Sequence, residues 1–367
     1  MTPRQRRAWA FAAATVPAVM VCAGRSWHWV LIGSAAAGAY YLILYFLRRA
    51  GGMTLTESYR AGFGEAAGRI MLGLTALWTL LTLANAASGA SAAFPEGEEG
   101  KLAPAAVLLL AGLACRRGAG IPARCAAVAA PLLAGLYLIL ILAAAPGVQA
   151  EWCRPWGAPF AAAEAGTAML LPTAALLLSE KEREEKAPMG PLAVMLAAPA
   201  VMAAITAGNL SPQITAAERL PFYTLTKTLS LLSVMERFEP ILSAALFLGL
   251  FCMAALLTEA SAKCAAECAG ARRKTWLGWA VCTAVFLLME PARQLPETIW
   301  VVGAATFWGA APLLAQVIVV IKKVEKVGKK ELTNRGGDGT IAERSREGST
   351  SDGSPERETS EKEEKSS

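Results

Sequence analysis

The sequence predicts an all-α, polytopic membrane protein that crosses the bilayer about ten times. Three observations lead there. Apolar residues make up 55% of the chain against 17% charged, and mean hydropathy is positive. A water-soluble domain of this length carries more charge. Uncharged apolar runs recur along the chain, many of them long enough to cross the hydrocarbon core as a helix. Lys and Arg gather in alternate loops, as the positive-inside rule requires of a multi-pass chain.

Taken in order, the predicted spans are 8–24, 27–47, 70–94, 102–115, 126–145, 165–179, 189–208, 240–257, 275–289 and 298–321. Trp27, His28 and Trp29 open the second span and Tyr45 lies near its end, matching the aromatic belts at lipid–water boundaries. His28 is the single histidine, and it reads as an interfacial polar residue. The segment 220–238 is an amphipathic helix by its pattern. Thr226, Ser230, Ser233 and Arg237 share one face, and Phe222, Leu225, Leu229 and Leu232 another. Glu236, Arg237 and Glu239 sit where that helix meets the eighth span, at headgroup depth, where charge is tolerated.

Residues 1–322 therefore form the membrane domain. Beyond them, 323–367 is rich in Ser, Glu, Lys, Gly and Arg and buries too little to offset chain entropy, so a disordered tail is expected. Basic residues precede span one and follow spans two, four, six, eight and ten, which puts both termini in the cytoplasm. The loop EKEREEK at 180–186 is a solvated charge run.

Several function classes drop out. The net charge of +6 is scattered through short loops and forms no basic stripe, so nucleic acid is not an expected partner. There is no phosphate-binding glycine loop, no His-based catalytic set and no metal cluster, so the chain reads as a non-enzyme without a cofactor. Cys22, Cys115, Cys125, Cys252 and Cys282 lie in apolar runs as small hydrophobes. Cys264 and Cys268 are placed in a basic cytoplasmic loop, and no structural disulfide is expected. No Asp, Glu, Lys or Arg falls in mid-span, which argues against a proton-driven pump. A sodium site of carbonyls and Ser/Thr, or a sensor without ion coupling, remains open.

The runs Arg219-Leu-Pro221-Phe-Tyr223, Thr226-Lys-Thr-Leu-Ser230 and Met235-Glu-Arg-Phe-Glu239 resemble the signature of the spore-germination receptor B-subunit family. That family is a branch of the amino acid/polyamine/organocation transporter superfamily. The likeness spans about forty residues. The Trp that the family often carries just beyond is replaced here by the run from Leu242 to Phe247. The resemblance implies a LeuT-like five-plus-five inverted repeat with the first and sixth spans unwound. It also implies a spore inner-membrane location, a small ligand such as an amino acid, and as partners an A-type membrane subunit and a C-type lipoprotein.

Within that frame the sequence offers candidate site residues. Thr15, Val16 and Pro17 lie midway along span one, and Gly166, Thr167 and Pro172 lie in span six. Interrupted segments in corresponding positions of two halves point to a binding site. The alternative is a pair of proline kinks satisfied by their neighbours. Asn85 and Ser243 are placed to line the same cleft, or to hydrogen-bond between helices. The orientation makes a prediction: an epitope placed within 323–367 is protected from impermeant reagents in intact cells and becomes reactive on lysis.

Overall fold

The computed structural model describes residues 1–21, 25–93, 101–178, 189–218, 220–229, 238–270 and 276–327. The described chain is helical throughout, with no strand among the described residues. By contact it divides into Met1–Val320 and Ile321–Ser367; of the second unit residues 321–327 are described and are helical.

The first unit opens with α1 (Pro3–Met20), capped by Thr2 and Gln5 in a reciprocal capping box. It continues through α2 (Trp27–Gly51), α3 (Leu55–Phe63), α4 (Glu65–Ala90), α5 (Leu102–Cys115) and α6 (Gly120–Ala144). Then come α7 (Phe160–Ala168), α8 (Ala174–Leu177), α9 (Met189–Leu210), α10 (Pro212–Ala217) and α11 (Pro221–Thr228). The last three are α12 (Glu239–Cys268), α13 (Leu277–Arg293) and α14 (Glu297–Ala304), which runs into a π-helical turn at Ala305–Ala310. Among the described residues, five helices are long and apolar enough to cross a membrane: Trp27–Gly51, Glu65–Ala90, Gly120–Gly147, Glu239–Cys268 and Glu297–Val327.

The bundle is built around α12. Every side chain from Cys252 to Ala262 is buried, so this helix is enclosed on all faces. Neighbours bond to its backbone or draw bonds from it. Trp9 of α1 donates to the Cys252 carbonyl at 2.8 Å, and Ser261 donates to the Ala76 carbonyl of α4 at 3.1 Å. By contrast α2, α5 and α6 leave Ile43, Leu109, Val128 and Leu142 about half exposed or more, the arrangement expected of lipid-facing surfaces.

Two helices cross at unusually short range. Gly33 of α2 lies against the backbone of α7 at Ala162 and Gly166, where a methyl group on Gly33 would overlap the Ala162 carbonyl. Small residues of this kind let helix backbones touch and pack by dispersion where no hydrophobic drive exists.

Several sequence expectations change. The first span is not unwound: α1 is continuous through Thr15, Val16 and Pro17. Pro17 stands one turn from the helix end, its carbonyl accepts from the Val21 amide, and the run lacks a glycine to break it. The eighth span extends beyond 257 to Cys268, so Lys263, Cys264 and Cys268 are helical and not in a loop; Cys264 is fully buried. The described part of the 220–238 helix ends at Thr228, where Leu229 turns extended. Thr226, assigned to a polar face, is fully buried with its hydroxyl on the Tyr223 carbonyl. Ser230, Leu232, Ser233 and Arg237, the EKEREEK loop and residues 328–367 lie outside the described residues. The short helix α3 was not expected, although Thr54 and Glu57 carry a capping-box signature.

The close crossing is testable. Gly33→Ala should destabilise the purified protein by about 1–3 kcal/mol, since neighbouring backbone cannot yield. Gly135→Ala on α6, which meets nothing within 4 Å, should be neutral or stabilising. Thermal unfolding in one detergent compares the two.

Candidate functional site

The sixth predicted span is interrupted. α7 ends at Ala168 and α8 begins at Ala174, with a 3-10 turn, Leu171–Thr173, between them. Backbone bonding there is of the short-range kind: Leu170 donates to Thr167 at 3.2 Å and Thr173 to Leu170 at 2.8 Å. The Thr173 hydroxyl adds a second bond to the Leu170 carbonyl at 2.6 Å. Met169, Leu170, Leu171 and Thr173 are all buried, so protein rather than lipid surrounds this irregular backbone. Lys263 of α12 donates to the Leu177 carbonyl at 2.8 Å, satisfying an orphan group at the end of α8.

Beside the break lies a cavity of about 550 Å³. Pro17 and Met20 of α1, Asn85 and Thr82 of α4, and Thr167 and Leu171 line it from three sides. α14 closes the fourth side with Trp300, Val301 and Ala304, and Trp308 follows from the π turn. Ionisable groups border it: Arg25, Glu164, Glu218, Arg293 and Glu297. Arg25 Nε donates to Glu164 Oε2 at 2.8 Å, and the two side chains are only 17% and 11% exposed. Glu297, at the start of α14, lines the same cavity as this pair. The Asn85 side chain makes no hydrogen bond among the described residues, which leaves its amide for the cavity.

The predicted site residues divide. Pro17, Asn85 and Thr167 converge on the cavity. Thr167 already donates its hydroxyl to the Ala163 carbonyl at 2.8 Å, keeping both oxygen lone pairs for another donor. Thr15 instead faces a second, apolar hollow of about 170 Å³ shared with Tyr137, Met169, Pro199 and Met202. Its hydroxyl is held by the Ala12 carbonyl at 2.7 Å. Val16 is fully buried against α12 at Gly249. Gly166 is the packing surface for Gly33. Pro172 lies in the 3-10 turn. Ser243 donates to the Ala93 carbonyl at 2.7 Å and tethers α12 to the segment after α4.

The charged rim and the tryptophans were not anticipated as site residues. Arg25, Glu164 and Glu297 each stand one position outside a predicted span, where charge is assigned to water. Among the described residues no group of three or more His, Cys, Asp or Glu is arranged to hold a metal.

No family model matches the chain, and no curated protein matches it. A solved structure does. It is a nucleobase-cation-symport-1 family transporter in a closed conformation with bromovinylhydantoin bound. The likeness has a TM-score of 0.60 over 83% of this chain and 75% of that one, at 15% identity. At that identity the fold is what is shared. The chain is a multi-pass all-α membrane protein of LeuT-like fold.

The Arg25–Glu164 pair gives a direct test. Arg25→Gln leaves a mostly buried carboxylate without its cation and should cost about 1.5–3 kcal/mol of stability. Arg69→Gln, which loses only the exposed pair with Glu65, should cost well under ~1 kcal/mol. Unfolding midpoints of the two variants against the parent decide it.

Proposed function

We propose that this protein is the membrane subunit of a spore nutrient-germinant receptor, binding a small molecule such as an amino acid and signalling germination. The observation that carries the reading is the cavity beside the broken sixth span, where Pro17, Asn85 and Thr167 meet a charged rim. The resemblance over Arg219 to Glu239 supplies the germination context. It also supplies the expected partners, an A-type membrane subunit and a C-type lipoprotein, and the spore inner membrane as the location. On this reading the protein is not an enzyme and uses no cofactor. It is an equilibrium between two packings of the bundle, and ligand shifts it by binding one packing better.

A secondary amino acid transporter is the second reading. The fold shared with a nucleobase-cation-symport-1 transporter favours it. Glu164 and Glu297 in the cavity lining also supply ionisable groups that the sequence had not placed near a site. A ligand-free scaffold fits less well, because it gives no reason for a cavity of about 550 Å³.

Deleting the gene in its spore former and scoring germination across a nutrient panel tests the first reading. Loss of the response to at least one nutrient is expected; unchanged responses to all contradict it. Accumulation of an amino acid in proteoliposomes under a sodium or proton gradient would move the assignment to the transporter.

A further inference from the structure

The lining of the cavity is sorted along its depth. Along the last helix Glu297 comes first, then Trp300 and Val301, then Ala304 and Trp308, a descent of about 16 Å at the helical rise. Exposure follows the same order: Glu297 is exposed and Trp300 half-buried, while Trp308 is 2% exposed and Met253 of α12 fully buried. One end is therefore charged and wet, and the other is apolar and closed.

The closed end is aromatic. The Trp78 ring of α4 lies 5.3 Å from Trp300 and 5.8 Å from Phe307, stacked on the latter at 27°. Gly303 makes this possible, because a side chain there would run into the Trp78 ring. The indole nitrogens of Trp78 and Trp308 are buried and find no acceptor among the described residues. A wall that keeps unpaired donors is not one settled by its own packing.

The open end leans acidic. Glu164, Glu218 and Glu297 face Arg25 and Arg293, and Arg25 is engaged by Glu164. A ligand cation entering there meets Glu297, an exposed carboxyl in the lining that also holds Glu164 and Glu218.

We propose that the cavity selects a ligand with a flat, unsaturated ring seated against Trp78, Trp300 and Trp308, and an ammonium group held at the Glu164–Glu297 end. The inference rests on the reading that this cavity binds a small molecule, and narrows the amino acid class to its aromatic members and the related amines. Ring-on-ring contact adds to simple burial when the rings are offset or edge-on, and the indole faces attract cations.

Calorimetric titration of the full-length protein in lipid nanodiscs tests it with four probes: phenylalanine, phenylethylamine, phenylpropionate and alanine. Phenylalanine and phenylethylamine should bind. Alanine, which lacks the ring, and phenylpropionate, which lacks the ammonium, should each bind at least about tenfold more weakly. Trp300→Leu should weaken phenylalanine about tenfold; Trp300 is half-buried, so the fold survives its loss. Glu297→Gln should weaken phenylalanine and phenylethylamine and leave phenylpropionate unchanged. Alanine binding as tightly as phenylalanine, phenylpropionate matching phenylethylamine, or no aromatic probe binding at all would each overturn the proposal. In the first two cases a ligand-binding cavity survives. The receptor reading stands or falls separately, on the germination phenotype.

Discussion

A peptide group without a partner is far more costly in hydrocarbon than in water, and that constraint organises this protein. A chain that interrupts a helix inside a bilayer must surround the interruption with itself. The break between α7 and α8 does so. Its 3-10 turn recovers some bonds locally, the Thr173 hydroxyl adds one, and Lys263 reaches over from α12 to the Leu177 carbonyl. Around it α2 closes to backbone contact through Gly33 and Gly166, and α1 and α12 pack from the other sides. The small residues that crowd these helices allow the approach.

The same interruption opens space. Where a continuous helix would fill the bundle, a cavity of about 550 Å³ remains, and the groups that face it are of kinds the lipid-exposed surfaces exclude. Asn85 keeps its amide unengaged, and Arg25, Glu164 and Glu297 meet at the rim. An ion pair of this sort is not a strong source of stability, since desolvation offsets much of the attraction. Its retention fits a role in positioning or recognition better than a role in holding the fold. The tryptophans at the far end supply the apolar surface that closes the hollow.

The multi-pass, all-α character was legible in the sequence because hydropathy reports the bilayer directly, and the resemblance over Arg219 to Glu239 pointed to a transporter-related fold. The break in span six was legible too, through Gly166 and Pro172 in a short segment. The matching break in span one was not there. Pro17 has too little helix after it to matter, and alanines and valines around it carry the helix through. The charged rim was lost for a different reason. A span is drawn to stop where charge begins, so Arg25, Glu164 and Glu297 fell one residue outside three separate spans, and only the fold brings them together. Thr15 and Ser243 show the converse. A hydroxyl in a span reads as a possible ligand group, yet both are committed to backbone carbonyls at 2.7 Å.

Labelling from the aqueous side tests whether a water-reachable hollow lies beside the broken helix. Cysteine is introduced singly at Asn85 and at Ser243, and each variant in native membranes is exposed to a small, charged, membrane-impermeant thiol reagent, with the parent chain as background. Modification is expected at position 85, slowed by a bound ligand, and none above background at position 243, whose native serine is tied to the Ala93 carbonyl. Equal protection at both positions would contradict this expectation, because the interrupted span would then border packed side chains and not an open site.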